Sequence, residues 1–337
     1  MNIVSNFSLK KYNTFGIEAC ANEFVAVHSI EDLKNILIEN KTKKKFILGG
    51  GSNMLLTKDI EALVIHVDLK GKKIIDQNDD FVFIECQAGE NWHEFVLWTI
   101  NQDFGGLENM SLIPGNVGTT PVQNIGAYGT EIKDTFVSCN AINIENQELK
   151  TFSNNECNFG YRESVFKNEL KNQYIITSVI FKLTKKNHKI NISYGDIKQE
   201  LDKNNIEIPT LIDVSNAVIT IRKSKLPDPK ILGNSGSFFK NPVLLKSEFE
   251  TIHKKFPEMK CYEISETEVK VPAGWLIEQA GFKGKRFGDA GIHENQALVL
   301  VNYGKATGQE ILNVSAAIQK TVFEMFGIKI EAEVNVI

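Results

Sequence analysis

The chain has 337 residues, more than one ordinary domain needs and enough for two or three domains with separate cores. Hydrophobic residues make up 42% and charged residues 24%, which excludes a disordered or fibrous protein. The 38 basic and 42 acidic residues give a formal net charge of −4, without the positive excess typical of nucleic-acid binding. The run Lys41–Lys45 (KTKKK) is a local candidate, which we interpret as a solvated helix end. We therefore predict no nucleic-acid partner.

No apolar stretch approaches the ~18 residues that a membrane span requires, so no membrane insertion is predicted. The N-terminal residues lack an apolar core, and no secretory signal is expected. The five cysteines are far apart, and no CxxC, HxxxH or HExxH pattern occurs. Neither a disulfide framework nor a metal site is therefore predicted. We expect a cytoplasmic protein that is a monomer.

The first hundred residues predict two capped helices among short strands. One helix begins after Ser29, which forms a capping pair with Asp32, and its apolar face would contain Ile30, Leu33, Ile36 and Leu37. The second helix is predicted over Asn91–Phe104, with an Asn91/Glu94 capping pair and an apolar face of Trp92, Phe95 and Val96. Strands are predicted around Lys45–Leu48, Met54–Leu56, Leu63–Val67 and Val82–Gln87.

The segment Gly105–Gly129 is rich in Gly, Pro and Asn and cannot form a long helix or strand. Long irregular segments inside compact domains are usually functional or disordered, and this one is too apolar for a linker. Strands are predicted near Thr135–Ile144 and Ile175–Leu183. The polar region Lys185–Asn205 is interpreted as a junction between domains, and Lys225–Lys230 (KLPDPK) as an extended connection.

The last third predicts two helices and a final strand. A short helix would have Pro272 at its first helical position and end at Gly281. A longer helix would begin at Thr307, with Glu310 completing a capping box, and end at Gly327. Residues 328–337 alternate between apolar and polar, which predicts a strand. Because strands and helices mix without regular alternation, the predicted class is α+β.

Two glycine-rich segments are candidate ligand loops. Gly49–Asn53 (GGGSN) follows a predicted strand, and consecutive glycines allow backbone amides to converge on a phosphate. Neither a Walker loop nor a Rossmann fingerprint is present, and a bare turn is the alternative interpretation. Ile113–Gly129 contains four glycines and two prolines, which suits either a close ligand or a tightly wound loop. Together the two loops favour a large phosphorylated ligand, and by themselves no more than a nucleotide-type cofactor.

Six motifs in register span nearly the whole chain: GGGSNMLL, IPGNVGTTPVQNIGAYG, GYRESVFK, LPDP, GNSGSFFKNP and PAGWLIEQAGFKG. In this order they resemble the UDP-N-acetylenolpyruvoylglucosamine reductase (MurB) family of peptidoglycan (cell wall) synthesis. The segments Ser193–Asp196 (SYGD) and Lys225–Pro229 (KLPDP) resemble the longer subclass, in which a tyrosine loop covers the substrate.

The resemblance implies an FAD-binding domain of the vanillyl-alcohol-oxidase/PCMH type at residues 1–190, completed by the strand 328–337. A smaller α+β substrate-binding domain would occupy residues 206–327. FAD would be bound non-covalently. Its pyrophosphate would contact Gly49, Gly50, Gly51, Ser52 and Asn53. The flavin would be lined by Pro114, Gly115, Gly118, Thr119, Thr120, Gln123, Asn124, Gly126, Tyr128 and Arg222.

The implied reaction is NADPH-dependent reduction of the enolpyruvyl ether of UDP-N-acetylglucosamine to UDP-N-acetylmuramate. Hydride addition at C3 builds negative charge at C2 and the carboxylate, which calls for fixed donors and a proton source. Arg162, Ser237 and Glu333 match the family's catalytic residues: the arginine on the carboxylate, the serine as proton donor, the glutamate beside the enolate. For each, a solvated or turn-capping residue is the local alternative.

The implied substrate contacts are Tyr161, Tyr194, Lys225 and Asn241, with Tyr194 and Lys225 on the diphosphate or uridine. One position departs from the family pattern: Asn335 stands where an arginine associated with the cofactor is common. Two rival functions are retained. One is an oxygen-dependent flavoenzyme of the same fold that oxidises a small alcohol, and the other is a non-catalytic nucleotide-sugar binder.

Overall fold

The computed structural model describes residues 2–337, which divide into two compact units. Among the described residues, the first unit contains 2–7, 21–50 and 61–222, and the second contains 8–20, 51–60 and 223–337. The sequence predicted a junction between domains within Lys185–Asn205. In the structure, the chain passes from the first unit to the second after Arg222. The segment 328–337, assigned from sequence to the first domain, is part of the second unit.

The structure mixes short strands with seven α-helices between residues 2 and 337. The strands are β1 (Val4–Ser8), β2 (Cys20–Val27), β3 (Lys45–Leu48), β4 (Met54–Leu55), β5 (Ile60–Val67), β6 (Lys72–Gln77), β7 (Phe81–Gln87), β8 (Gly126–Ala127), β9 (Thr130–Glu131), β10 (Phe136–Asn143), β11 (Leu149–Ser153), β12 (Tyr174–Thr184), β13 (Gly233–Asn234), β14 (Val243–Leu245), β15 (Tyr262–Glu263), β16 (Glu268–Lys270), β17 (Arg286–Phe287), β18 (Ala290–Ile292), β19 (Leu300–Asn302) and β20 (Asn335–Val336). The helices are α1 (Ile30–Glu39), α2 (Trp92–Asn101), α3 (Gly195–Lys203), α4 (Leu211–Lys225), α5 (Lys246–His253), α6 (Ala273–Gln279) and α7 (Gly308–Phe326). The α+β class is confirmed.

The first unit is built on two sheets, with strand orders β1-β2-β5-β3 and β11-β10-β12-β7-β6. Helix α1 begins after Ser29, whose side chain accepts a hydrogen bond from the Asp32 amide, and it buries Leu33, Ile36 and Leu37 as predicted. Helix α2 has Asn91 as its N-cap, accepting from the Glu94 amide, also as predicted. Its residues Trp92 and Phe95 pack against Phe181 of β12.

The polar region after β12 contains more helix than the sequence analysis predicted. Helix α3 lies inside the predicted junction, and α4 follows it with no corresponding prediction. The two helices form a small core of their own, from Ile197, Leu201, Val214 and Val218. Helix α3 buries only Ile197 and Leu201, so its sequence shows a weak apolar pattern, whereas α4 buries five apolar residues at helical spacing that the sequence analysis overlooked.

In the second unit, α7 packs against β18 and β19 of the sheet β13-β19-β18-β17, and α6 packs against α7. Helix α7 has the predicted capping box between Thr307 and Glu310, and ends at Gly327 with φ of 70°. Helix α6 differs slightly from its prediction: Pro272 is the N-cap and Ala273 the first helical residue.

The predicted continuous strand 328–337 is shorter in the structure. Only β20 is regular, paired in parallel with β4, and Ala332 forms an isolated bridge with Phe239. The alternation is nevertheless retained, since Ile328, Ile330 and Val334 are buried. The burial pattern survives without a continuous strand because Ala332 pairs with Phe239 and β20 pairs with β4.

The basic run after α1 ends the helix, as interpreted from sequence. The ammonium of Lys45 donates to the carbonyls of Asn40, Lys41 and Lys43, and residues 41–44 are exposed. All three carbonyls lie beyond Glu39, the last residue of α1, so Lys45 holds the turn that follows the helix. Between residues 2 and 337, no helix is both long and apolar enough to cross a bilayer.

Candidate active site

Parts of the two glycine-rich segments pack directly against each other in the first unit. A Cβ added at Gly50 would lie 2.8 Å from Cα of Gly115 and 2.9 Å from Oδ1 of Asn116. One added at Gly49 would lie 2.5 Å from Cγ2 of Thr119. The sequence analysis attributed these glycines to a ligand, whereas the structure shows that loop packing alone already requires them.

The second segment is held in place by backbone hydrogen bonds to the turn before α2. The Trp92 amide donates to Gly115, and the Val117 and Gly118 amides donate to Glu90 and Ala88. The Cβ of Ala88 also leaves no space for a side chain at Gly118. These hydrogen bonds and the close glycine contacts together form a cradle of closely spaced backbone.

We expect Gly50→Val to destabilise this cradle strongly. The branched side chain would overlap the backbone of Gly115, so the two loops must separate, and overpacking of this kind typically costs about 1–3 kcal/mol. The FAD content of the purified protein and its melting temperature should both fall. Gly195→Ala is the control, because a Cβ there meets nothing within 4 Å. Normal flavin content in Gly50→Val would show that the loop contact is not needed for binding.

The remainder of GGGSN lies in the second unit. Gly51 has φ of 60° and packs against the Tyr12 carbonyl, which leaves no room for a Cβ. The Asn53 carbonyl accepts hydrogen bonds from both the backbone and the side-chain nitrogen of Asn335, at 3.2 and 2.9 Å. Asn335, which departs from the family pattern, therefore holds the first glycine-rich segment, Gly49–Asn53, through its amide side chain.

Three non-glycine residues of the predicted site have positive φ: Asn124 (44°), Tyr128 (49°) and Arg162 (58°). Leu112 (59°) has it too, just before the flavin segment Ile113–Gly129. This left-handed conformation is unfavourable for residues with a Cβ, and it persists only where surrounding contacts enforce it. Tertiary contacts therefore hold the backbone at these positions.

Arg162 lies in a tight turn that Gly160 and Glu163 close through reciprocal backbone hydrogen bonds of 3.1 and 3.3 Å. Its Nη2 donates to the Gly126 carbonyl at 2.6 Å, and its Nη1 donates to the Asn124 carbonyl at 3.3 Å. The structure thus brings Arg162 to the second glycine-rich segment, 36 residues away, and fixes the plane of its guanidinium there.

Several predicted cofactor residues use their side chains inside the protein. The Asn124 amide donates to the Gly160 carbonyl and to Glu131, and its oxygen accepts from the Lys133 amide. The hydroxyls of Thr119 and Thr120 bond the carbonyls of Asn116 and Val117, three residues earlier. Any contact of Asn124 with FAD would therefore use its backbone, since its side chain joins the flavin segment to the Arg162 turn.

Arg222, near the end of α4, contacts the flavin segment at Tyr128. Its Nε donates to the Leu112 carbonyl at 3.2 Å, and its guanidinium interacts with the Tyr128 phenol. Burial lowers the pKa of the Arg222 guanidinium and raises the pKa of Tyr128. No carboxylate among residues 2–337 pairs with this cation. Because a buried cation needs a counter-charge, the donor set fits an anionic ligand such as FAD.

Tyr194 is at the N-terminus of α3, and its ring meets Tyr128 edge-on with a centroid distance of 5.3 Å. It is 46% exposed, so much of the ring remains available to a ligand. Tyr161, beside Arg162, is also exposed, and its ring lies 5.3 Å from the Arg162 guanidinium carbon. Tyr194 thus contacts Tyr128 of the flavin segment, whereas Tyr161 contacts Arg162.

Ser237 follows a turn in the second unit that Asn234 organises. The buried Asn234 side chain donates to the carbonyls of Pro227 and Leu232 and accepts from the Gly236 amide. Ser235 bonds the Met54 carbonyl and Thr14, so it is a turn-stabilising serine as interpreted. The Ser237 hydroxyl has no hydrogen-bond partner between residues 2 and 337. Sequence reasoning missed Asn234, although it lies within the GNSGS motif.

Backbone pairing brings Glu333 next to this serine segment. The Glu333 amide donates to the Phe238 carbonyl at 2.8 Å, and the Lys240 amide donates to Glu331 at 2.9 Å. Ser237 and Glu333 therefore occupy neighbouring register positions, although 96 residues separate them. Glu333 is half-buried, whereas the local alternative was an exposed polar residue.

The two remaining predicted substrate residues also lie in the second unit. The Asn241 oxygen accepts from the Ala273 amide at 2.9 Å and so caps α6, which leaves its nitrogen as the group for a substrate contact. Lys225 is exposed at the end of α4. Because the α6 cap is a tertiary contact, the sequence pattern did not reveal it.

Comparisons with known proteins identify the domains and the family of the chain. Residues 21–153 match the family model described as FAD binding domain, and residues 228–337 match UDP-N-acetylenolpyruvoylglucosamine reductase, C-terminal domain. The fold and the site define an FAD-dependent oxidoreductase with an added C-terminal domain. UDP-N-acetylenolpyruvoylglucosamine reductase of Flavobacterium johnsoniae is 82% identical over 337 residues, covering 100% of both chains. The chain belongs to the UDP-N-acetylenolpyruvoylglucosamine reductase (MurB) family.

A less similar relative and a solved structure carry the same enzyme name. The enzyme of that name from Pseudomonas putida is 46% identical over 330 residues, covering 97% of each chain. Among solved structures, UDP-N-acetylenolpyruvylglucosamine reductase (MurB) from Thermus caldophilus superposes with a TM-score of 0.70 at 23% identity. That match covers 99% of this chain and 98% of the other. At this identity the structural match concerns the fold alone.

Proposed function

We propose that the protein reduces the enolpyruvyl ether of UDP-N-acetylglucosamine to UDP-N-acetylmuramate at the expense of NADPH, in peptidoglycan synthesis. The two glycine-rich segments and Arg222 would hold FAD, which would supply the hydride-transfer chemistry between NADPH and the vinyl carbon C3 of the substrate. The second unit, with Asn241 and Lys225, would hold the nucleotide sugar.

The observation that carries this proposal is the position of Arg162. Its guanidinium is anchored on two carbonyls of the flavin segment, and its backbone is held in a left-handed conformation. A planar fork fixed in this way is suited to grip the substrate carboxylate, where negative charge grows as C3 receives hydride. Preorganised donors at such a position stabilise the transition state more than the ground state.

Ser237 and Glu333 would complete the reaction at C2. The Ser237 hydroxyl is the proposed proton donor, because it is presented by a glycine turn and is not engaged by another residue between 2 and 337. A carbanionic centre is basic enough to remove a hydroxyl proton. Glu333, next to Ser237 in register, would donate a hydrogen bond to the developing enolate in its protonated form.

Tyr194 and Lys225 would contact the diphosphate or the uridine, and Tyr161 would also contact the substrate. These contacts are proposed because Tyr161, Tyr194 and Lys225 are exposed, as a ligand contact requires. A substrate and reductant of this kind are cytoplasmic metabolites, so we propose a cytoplasmic enzyme, acting as a monomer.

We expect the purified protein to be yellow and to release FAD on denaturation. NADPH should bleach the flavin absorbance without air, and UDP-N-acetylglucosamine enolpyruvate should restore it with formation of UDP-N-acetylmuramate. Anaerobic stopped-flow spectroscopy measures both steps. Rapid reoxidation by oxygen with no effect of substrate would instead favour an oxidase. A colourless protein that cannot be reconstituted with FAD would favour a nucleotide-sugar binder.

A further inference from the structure

The turn that carries Arg162 has a second cation, Lys167, whose contacts suggest a role. Its ammonium donates to the Arg162 carbonyl at 3.0 Å and lies 3.6 Å from a carboxylate oxygen of Glu163. The Lys167 side chain is only 22% exposed. Most of this lysine is therefore withdrawn from solvent, and its ammonium is directed at a main-chain carbonyl of the turn.

The carbonyl that Lys167 contacts belongs to Arg162, whose backbone conformation is unfavourable. Arg162 has φ of 58°, a conformation that disfavours residues with a Cβ by roughly 1–2 kcal/mol. On one side its guanidinium is tied to Asn124 and Gly126, and on the other side its carbonyl is tied to Lys167. The side chain and the main chain of Arg162 are therefore fixed by separate contacts.

We infer that Lys167 is a positioning residue for Arg162: its ammonium holds the Arg162 backbone in the left-handed conformation that directs the guanidinium to the flavin segment. This inference rests on the proposed function, in which Arg162 grips the substrate carboxylate. Misplacement of a reacting partner by about 1 Å can slow a reaction by ~10². Lys167 would act only through Arg162 and would not touch the substrate.

A neighbouring residue offers a matched control. Asn168 donates to the Glu163 carboxylate and to the Ser164 carbonyl, each at 3.1 Å. It braces the same turn as Lys167 and contacts the same glutamate, yet neither bond reaches Arg162. Loss of general turn stability would affect both variants, whereas loss of Arg162 positioning would affect Lys167 variants alone.

The experiment compares Lys167→Met, Lys167→Arg and Asn168→Ala in single-turnover reoxidation of the NADPH-reduced enzyme by substrate. Lys167→Met should slow reoxidation by about 10-fold to 10²-fold, with unchanged FAD content, melting temperature within a few degrees of the parent and normal reduction by NADPH. Lys167→Arg keeps a charged donor and should recover much of the rate. Asn168→Ala should remain within about 2-fold of the parent.

A double-mutant cycle with Arg162→Lys separates this inference from the proposed function. If Lys167 acts through Arg162, Lys167→Met should add little further loss in the Arg162→Lys background. Full additivity, or equal losses in Lys167→Met and Asn168→Ala, would overturn the positioning role. If Arg162→Lys itself leaves reoxidation unchanged, the proposed role of Arg162 is wrong, and that outcome is distinct from failure of Lys167→Met alone.

Discussion

Ser237→Ala is expected to slow reoxidation of the reduced flavin by substrate by ~10²–10⁴, the usual range for loss of a general acid. This corresponds to about 3–5 kcal/mol of activation free energy. The step before it, reduction by NADPH, needs no proton at C2 and should keep its rate. Stopped-flow spectroscopy measures the reduction of the flavin by NADPH and its reoxidation by substrate separately.

The structure provides a control for Ser237→Ala in the same turn. The Ser235 hydroxyl bonds the Met54 carbonyl and Thr14, so Ser235→Ala should lower the free energy of unfolding by about 1 kcal/mol, with nearly normal turnover per folded enzyme. Ser237→Ala removes a hydroxyl with no partner between residues 2 and 337 and should leave stability almost unchanged. Equal slowing of both half-reactions in Ser237→Ala, or of neither, would remove Ser237 from the mechanism.

Arg162→Lys should have the second large effect, despite keeping the positive charge. A lysine lacks the planar fork and cannot hold the Asn124 and Gly126 carbonyls while gripping a carboxylate in two places. We expect reoxidation by substrate to slow by ~10²–10³, comparable to the loss of one preorganised donor at a developing oxyanion. Glu333→Gln should slow the same half-reaction, because it keeps the shape but loses the carboxyl.

Both variants should still be bleached by NADPH at close to the parent rate. Arg286→Lys is the matched control: Arg286 is exposed, pairs with Asp289 at 2.8 Å, and lies in no predicted site. Its half-reactions should match those of the parent protein. If NADPH fails to bleach the flavin in Arg162→Lys or Glu333→Gln, the assignment of these residues to the substrate step is wrong.

Local interactions explain which elements were predicted correctly. The caps of α1, α2 and α7 each join residues three apart, so the short sequence pattern contains both partners. Helix α3 was not predicted because it buries only Ile197 and Leu201 and depends on α4 for its core, whereas α4 has an apolar pattern at helical spacing that was overlooked. Likewise the strand 328–337 has the predicted burial pattern, but distant partners decide where it pairs.

The order of the sequence motifs by itself determined the family and the three candidate catalytic residues. Only the tertiary structure decided what individual side chains contact. It placed Asn335 on Asn53, made Asn241 the cap of α6, and committed the Asn124 side chain to the Arg162 turn. The physical reason is that a polar group entering a protein interior must find a hydrogen-bond partner, and that partner can be hundreds of residues away along the chain. Motifs therefore predict which residue types a site needs, whereas the packing of distant segments determines which of their atoms remain available to a ligand.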